Sequence, residues 1–267
     1  MCGRYAASRH PDELAEEFEV DTVELDRPAA PGRDGPDWNV APTTANPVVL
    51  ERDDARRLRL LTWGLVPSWA SDRTVGNRMI NARAESLLDK PAYRRAAAVR
   101  RCLVPADGWY EWQASPVVTD GRGRPRKQPF YIRPADDEGL AFAGVYELWR
   151  DPGRDADDPA AWLATYAIVT TDAEPGLDRI HDRMPFVLPR ERWDAWLDPA
   201  VTDPDDVRGL LAPVPPGRFT AVPVSPRVNN VRNNGPELTQ PAPVEELVGV
   251  VDPATGELLG GQDTALF

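Results

Sequence analysis

Prolines limit how this chain can fold more than any other feature of its sequence, because they are numerous and spread along its whole length. The chain of 267 residues contains 29 of them, about twice the average share of a globular protein. Proline lacks a backbone N–H and disrupts helix interiors and central strands. The sequence therefore predicts short strands and many turns rather than long helices.

Alternating apolar and polar residues indicate where the strands lie. The pattern is found in NPVVLERD and RRLRLLTWGLVPSW, as is typical of half-buried strands. Further β-rich segments are QPFYIRP, LAFAGVYELW, WLATYAIVTT and FTAVPVS. CLVPADGWYEW predicts two strands joined by an Asp-Gly turn. Short helices are predicted at 11–18, at 84–98 with an interruption at Pro91, and in RERWDAWL. The fold class is therefore α+β, a single domain with a largely antiparallel, barrel-like β core flanked by short helices.

Two segments are expected outside this core. Residues 114–127, ASPVVTDGRGRPRK, predict a surface loop. From about residue 242 the chain is acidic and poor in aromatic residues. We therefore predict a catalytic domain over residues 2–241 and an acidic C-terminal tail over residues 242–267.

Charge is unevenly distributed, although the net charge of -12 argues against nucleic acid binding if it is treated as uniform. Residues 11–37 are strongly acidic, whereas residues 73–104 hold eight basic residues against two acidic ones. Such a basic run is either a solvated face or a binding patch for an anionic partner.

Location and redox chemistry are constrained by what the sequence lacks. No stretch approaches the roughly 18 apolar residues that span a bilayer, and no hydrophobic signal core follows the N-terminus. The prediction is a cytoplasmic protein, without a membrane partner. Two cysteines make neither a disulfide framework nor a zinc site, and Cys102 lies in an apolar run where a buried, inert thiol is expected.

Cys2 raises a chemical question, because it directly follows the initiator methionine. One interpretation is that the residue is accidental, since N-terminal residues are commonly loose. The other is that Met1 is removed, as is usual before a small residue. Cys2 would then carry a thiol of pKa near ~8.5 and an α-amine of pKa near ~7.7 to 8.0 on adjacent carbons.

Three further places have residues suited to catalysis, and each also has a structural explanation. His181, one of two histidines, is either structural or a proton donor and acceptor. Glu111 lies between Tyr110 and Trp112, which would raise its pKa by desolvation if it faces inward, or it faces outward as a polar strand residue. Asn81 and Arg83 share one face if extended and suit a substrate and its phosphate, but a turn and a helix cap would also explain them.

Six motifs occur in order along the chain: MCGR, WGLVPSW, INARAES, ADGWYEW, IHDRMPFVL and VSPRVNNVRNNGPEL. Together they resemble the SRAP family, named for SOS response-associated peptidase and known for crosslinking to abasic sites in DNA. The resemblance extends from Cys2 to about Gln240, which is nearly the whole chain.

The resemblance implies the SRAP fold and a reaction that consumes the protein's own N-terminus. It implies a catalytic site of Cys2, Asn81, Glu111 and His181, and DNA contacts by Arg4, Asn39, Trp69, Arg83 and Arg183, the arginines facing phosphates and Trp69 acting as a wedge or stacking element. The implied product is a thiazolidine between Cys2 and an abasic site in single-stranded DNA, which shields the lesion. A monomer without metal or other cofactor is implied, associated with the nucleoid when bound to DNA.

Two alternatives remain open from the sequence. Glutamine amidotransferases of the N-terminal nucleophile type also begin Met-Cys-Gly, and they use the free amine as a base for the thiol. They do not require the histidine of IHDRMP or the carboxylate of GWYEW, so these motifs discriminate. In the second alternative the chain is a DNA-binding or self-processing cysteine peptidase module, in which Cys2 serves only to remove a leader.

Overall fold

A computed structural model describes residues 2–25, 32, 35–136, 139–155 and 157–259. Within these residues there are four α-helices: α1 (Pro11–Glu17), α2 (Arg94–Val99), α3 (Trp193–Leu197) and α4 (Pro204–Leu210). The strands are β1 (Tyr5–Ala7), β2 (Thr22–Glu24), β3 (Asp37–Val40), β4 (Ala45–Arg52), β5 (Ala55–Trp63), β6 (Asn81–Arg83), β7 (Arg101–Ala106), β8 (Gly108–Thr119), β9 (Pro125–Pro134), β10 (Leu140–Arg150), β11 (Trp162–Asp172), β12 (Arg183–Pro185), β13 (Phe219–Pro223), β14 (Val250–Val251) and β15 (Leu258–Leu259).

Five strands close into a barrel. Antiparallel pairing runs from β5 through β4, β7 and β10 to β11, and a parallel pairing of β11 with β5 completes the ring. Closure removes the unpaired edges that an open sheet would expose. The predicted α+β fold with a largely antiparallel, barrel-like core is confirmed.

A second, fully antiparallel sheet carries the N-terminus, in the order β13, β9, β8, β1, β3. Its buried Tyr5 packs edge-on against Trp63 and Phe142 of the barrel, with ring centroids 5.2 and 5.8 Å away. The Tyr5 hydroxyl lies 2.7 Å from that of Tyr166 on β11. Aromatic packing and a buried hydrogen bond thus hold the start of the chain against the barrel.

The helices cover the outer face of the barrel. Phe18 stacks on Trp193 at 4.5 Å, and both belong to a cluster that contains the barrel residues Val49 and Leu58. The predicted helix at 11–18 is confirmed. The predicted helix at 84–98 is only partly correct, because the α-helix begins at Arg94, after Pro91, which lacks the N–H that a continuous helix needs.

Residues 114–127 are not the surface loop that the sequence predicts. Strand β8 continues to Thr119 and β9 begins at Pro125, so most of the segment is a β-hairpin. The turn is closed by the Asp120 carboxylate, which accepts hydrogen bonds from the backbone N–H groups of Arg122 and Arg124 at 2.8 and 3.0 Å.

The predicted tail also differs from the structure. Residues 243–259, which we call the C-terminal strap, pack on the second sheet and contain the β14–β15 pair. Leu247 and Val250 are buried in the main core cluster, because these apolar side chains interrupt an otherwise acidic stretch. Residue 241 therefore does not separate packed from unpacked chain, and residues 260–267 of the predicted tail lie outside the described residues.

Candidate active site

Cys2 lies immediately before β1, where its side chain is completely buried. Its Sγ is 4.0 Å from the carbonyl oxygen of Arg4. Burial, and secondarily the nearby Glu111 carboxylate, raises the pKa of the Cys2 thiol well above its ordinary value. The thiol is therefore protonated at neutral pH, and it needs a proton acceptor to become a strong nucleophile.

Glu111 lies beside Cys2 because β8 pairs with β1. The Tyr110 N–H donates to the Arg4 carbonyl at 2.9 Å, which places Glu111 against the first residues of the chain. Its side chain is only 3% exposed, so the outward-facing alternative is wrong. Burial raises the pKa of Glu111 to about 7, the range in which a carboxyl group both gives and takes protons at neutral pH.

Asn81 reaches the N-terminal segment from the barrel side. Strand β6 pairs with β11, and the Asn81 Nδ2 donates to the Cys2 carbonyl at 2.7 Å. Its Oδ1 is buried and has no hydrogen-bond partner within the described residues. Because buried polar atoms are rarely left unsatisfied, this oxygen is suited to accept from a group that enters the site.

His181 lies in the loop between a 3₁₀ turn at Leu177–Arg179 and β12. Its Nδ1 is 3.0 Å from the Arg183 N–H and 2.8 Å from an Asp182 carboxylate oxygen. Burial lowers the pKa of His181, which favours the neutral ring. Nδ1 then accepts from Arg183, and the proton resides on Nε2.

Glu111 and His181 share their electrostatic surroundings. The charges of Asp182 and Lys127 act on both side chains. The Asn81 hydrogen bond holds Cys2, strand pairing places Glu111 beside them, and His181 experiences the same neighbouring charges as Glu111. Lys127, exposed on β9, was not singled out by the sequence, because nothing in its segment indicates that it faces the site.

Arg4 and Asn39, both predicted to bind DNA, brace a loop instead of sharing a surface. Arg4 Nη1 donates to Asn39 Oδ1 at 2.7 Å and to the Val228 carbonyl at 2.8 Å. Asn39 is 2% exposed, and its Nδ2 donates to the carbonyl groups of Val228, Asn230 and Asn233. A direct DNA contact by Asn39 conflicts with this burial, and the geometry gives it the role of holding the 228–233 loop.

Arg83 and Arg183 occupy different environments, although both were predicted to face phosphates. Arg83 is exposed and forms no ion pair with a described residue. Arg183 is matched to two carboxylates, with Nη1 2.8 Å from Glu85 Oε1 and 2.5 Å from Asp172 Oδ1. Its charge is therefore balanced within the protein, which does not fit the predicted phosphate contact.

Trp69, also predicted to contact DNA, has a highly accessible side chain, at 68% exposed. Such exposure of a large aromatic ring is unusual for a soluble protein and suits stacking on a base. The backbone after it is fixed, because Trp149 Nε1 donates to the Ala70 carbonyl at 2.7 Å.

The asparagines of the VNNVRNN segment, for which the sequence predicts no role, hold an irregular loop in place. Asn229 Oδ1 accepts from Trp112 Nε1 at 2.7 Å, and Asn234 Oδ1 accepts from the Trp38 N–H at 2.8 Å. The density of asparagine is the signal, since these side chains satisfy backbone groups in irregular segments. The loop is thereby fixed next to Arg4.

No helix in the described ranges is long and apolar enough to cross a membrane. A search of the same residues finds no group of three or more His, Cys, Asp or Glu side chains placed to hold a metal ion.

Comparison with known proteins gives consistent matches over most of the chain. The model of the SOS response associated peptidase (SRAP) family matches residues 1–231. The chain is 38% identical over 240 residues to the abasic site processing protein YoqW of Bacillus subtilis, covering 90% of this chain and 99% of the relative. It is 33% identical over 246 residues to the abasic site processing protein YedK of Escherichia coli, covering 90% and 100%.

More distant matches include a vertebrate protein and solved structures. The abasic site processing protein HMCES of Mus musculus is 31% identical over 244 residues, covering 78% of this chain and 65% of that protein. A crystal structure from Bacteroides thetaiotaomicron matches with a TM-score of 0.72 and 25% identity, over 90% of this chain and 100% of that one. A phage-related protein from Bordetella bronchiseptica matches with a TM-score of 0.61 and 33% identity, over 84% and 94%.

Proposed function

Because the chain belongs to the SOS response-associated peptidase (SRAP) family, we propose that it processes abasic sites by crosslinking to them through the N-terminus of Cys2 after removal of Met1. The observation that carries this proposal is the buried Glu111, whose pKa is raised to about 7, next to a cysteine whose carbonyl is held by Asn81. This chemistry needs a free amine, a thiol and a carboxyl group whose pKa is close to that of the amine.

The first step joins the amine to the open-chain aldehyde of the abasic sugar. The nitrogen lone pair attacks the carbonyl carbon, and the resulting carbinolamine loses water to give a Schiff base. Glu111 accepts the proton that the amine releases and returns one to the departing hydroxyl. An α-amine of pKa near ~7.7 to 8.0 exchanges protons with a carboxyl group of similar pKa at little cost.

The second step closes the ring. The Cys2 sulfur adds to the imine carbon, its proton passes by way of Glu111 to the imine nitrogen, and a five-membered thiazolidine results, so that one water is lost overall. The thiol is one carbon away from the amine-bearing carbon, and such intramolecular reactions avoid several kcal/mol of entropic cost. Trapping as a ring removes the iminium that would otherwise promote strand cleavage.

His181 and Asn81 prepare the substrate and the amine. With Nδ1 accepting from Arg183, the imidazole of His181 exchanges a proton with the sugar through Nε2 as the closed form opens. The unpartnered Asn81 Oδ1 accepts from the α-amine or a sugar hydroxyl and sets its direction.

Two observations favour crosslinking over the glutamine amidohydrolase alternative. His181 and Glu111, which that mechanism does not require, share charged neighbours at the N-terminus. Relatives at 33 and 38% identity are named abasic site processing proteins. The self-processing peptidase alternative gives His181 no role in opening a sugar. A glutaminase assay tests the first alternative and a peptide cleavage assay tests the second, and both are expected to be negative.

We expect crosslinking to be faster on single-stranded than on duplex DNA, because an unstacked nucleotide reaches a buried site more easily. The test is incubation with an oligonucleotide carrying one abasic site, single-stranded or annealed, followed by a denaturing gel. The same oligonucleotide with an intact base is the control. Equal yields on both substrates would contradict single-strand preference.

Substitutions of Arg83 and Arg183 are expected to change the salt dependence of DNA affinity differently. Arg83→Ala should weaken binding to all sequences and reduce the slope of log K against log salt by about one, because one phosphate contact is lost. Arg183→Gln should leave that slope unchanged and lower stability, because Glu85 and Asp172 lose their partner. A reduced slope in Arg183→Gln would restore Arg183 as a phosphate contact.

We further propose that the protein acts as a monomer on nucleoid DNA, as the family resemblance implies. Analytical ultracentrifugation with and without an abasic oligonucleotide tests the monomer.

A further inference from the structure

Gln113 connects the strand that carries Glu111 to the loop that carries His181. It follows Glu111 by two residues on β8 and is 2% exposed. Its Nε2 donates to the Arg179 carbonyl at 3.2 Å and to the Val251 carbonyl at 2.9 Å. Its Oε1 accepts from the Val251 N–H at 2.7 Å. One buried amide thus joins β8, the turn before His181 and the C-terminal strap.

The strap also holds that turn from its other side. Arg179 Nη1 donates to the Pro253 carbonyl at 2.6 Å. Gly176, which opens the turn at φ +97°, lies so close that a Cβ there would be 3.2 Å from the same Pro253 oxygen. The turn therefore lies between Gln113 and residues 253–254, two residues before His181.

The strap is fixed to the rest of the molecule independently of this turn. Ser115 Oγ donates to the Gly249 carbonyl at 2.6 Å, and Arg126 donates to the Val248 carbonyl. Leu247 and Val250 are buried. A segment anchored in this way can act as a rigid support for a loop that has few contacts of its own.

We propose that Gln113 and the C-terminal strap are positioning elements that fix the imidazole of His181 relative to Glu111. The strap lies beyond residue 231, where the match to the family model ends. The inference rests on the proposed function, in which His181 opens the sugar. Misplacing a catalytic group by about 1 Å can cost up to about 100-fold in rate, so a loop with this role needs such a support.

The test compares variants that remove a contact with the turn with one that removes a strap contact elsewhere. Gln113→Leu removes the buried amide, and Arg179→Met removes the bond to Pro253 from an exposed side chain. Arg126→Gln is the matched control, because Arg126 bonds to the strap away from the turn, and the Ser115 hydrogen bond and the burial of Leu247 and Val250 keep the strap in place without it. Arg179→Lys keeps a cationic donor and should restore part of the lost rate.

We expect Gln113→Leu and Arg179→Met to slow crosslinking about tenfold or more without changing affinity for single-stranded DNA, and Arg126→Gln to retain the normal rate. In a His181→Ala background neither change should slow the reaction further, because both act through that side chain. Unchanged rates in Gln113→Leu and Arg179→Met, or an equal loss in Arg126→Gln, would overturn the proposal.

A second measurement does not depend on activity. The chain has two histidines, so NMR titration of the imidazole Cε1–H signals follows His181 directly once a His181→Ala spectrum has assigned its signal. Loosening the turn admits water to His181, which faces Asp182 and Lys127, so its lowered pKa should rise toward the ordinary value. An unchanged His181 signal in both variants would overturn the positioning role. A different outcome is that the His181 signal shifts in Gln113→Leu and Arg179→Met, but the His181→Ala protein crosslinks normally. The role of His181 in the proposed function would then fail, while its structural link to Gln113 and the strap would stand.

Discussion

Cys2→Ser is expected to lose the stable crosslink completely while still forming a Schiff base that borohydride traps. Serine is also small, so Met1 is still removed and the α-amine remains next to Glu111. A hydroxyl is a far poorer nucleophile than a thiolate for closing the ring. Denaturing gels of the reaction with abasic single-stranded DNA, with and without borohydride, measure the two products separately.

A blocked N-terminus is the complementary control. If a residue is retained before Cys2, the amine becomes an amide although the thiol is intact, and both the trapped and untrapped products should disappear. Mass spectrometry of each preparation verifies the terminus. Crosslinking by a blocked protein would show that the thiol acts alone, and the thiazolidine mechanism would have to be abandoned.

Glu111→Gln is expected to slow crosslinking about 10² to 10⁴-fold, the usual contribution of a general acid or base. Gln has nearly the same shape but cannot exchange a proton. The loss should persist on a substrate that cannot form the closed sugar, whereas His181→Ala should be largely rescued by that substrate, because it limits only the supply of aldehyde. The same response of both variants to the two substrates would contradict this division of roles.

The same substitution should stabilise the fold at high pH. In the folded protein the pKa of Glu111 is raised from 4.5 to about 7, so ionisation is disfavoured by folding, and the native state loses stability as pH rises through this interval. The loss approaches about 3 kcal/mol above pH 7. Urea denaturation should therefore show Glu111→Gln to be more stable than the natural protein at pH 9 and nearly equal at pH 4. A constant difference across this range would mean that Glu111 does not titrate as described.

Local patterns were sufficient to predict the strands and the first helix. Alternation in NPVVLERD and RRLRLLTW corresponds to β4 and β5, which form one hairpin. Local patterns could not predict how the barrel closes, because the closing pair, Thr165 and Thr62, joins segments about one hundred residues apart. A barrel-like core could be predicted from the class of the fold, but not which strands close it.

In the candidate site, too, local sequence predicts some features, whereas others depend on distant segments of the chain. Glu111 was a candidate because its own neighbours, Tyr110 and Trp112, are aromatic, and it lies in the buried first part of β8. The ion pairs of Arg183 could not be predicted, because its partners, Glu85 and Asp172, come from other segments of the chain, so no local pattern shows that its charge is balanced. The packing of the strap was not predicted because its acidic composition concealed Leu247 and Val250, two apolar residues that are buried in the core.

The burial of Cys2 has a consequence for how the protein must be made. Once β8 and β6 have folded against the start of the chain, the residue next to Met1 is 0% exposed. An aminopeptidase needs an extended, accessible terminus, and this exists while the nascent chain is emerging, before the later strands that cover it have been translated. Under the proposed mechanism the amine of Cys2 is therefore expected to be freed during synthesis, and a molecule that folds with its methionine in place is expected to remain inert toward abasic DNA.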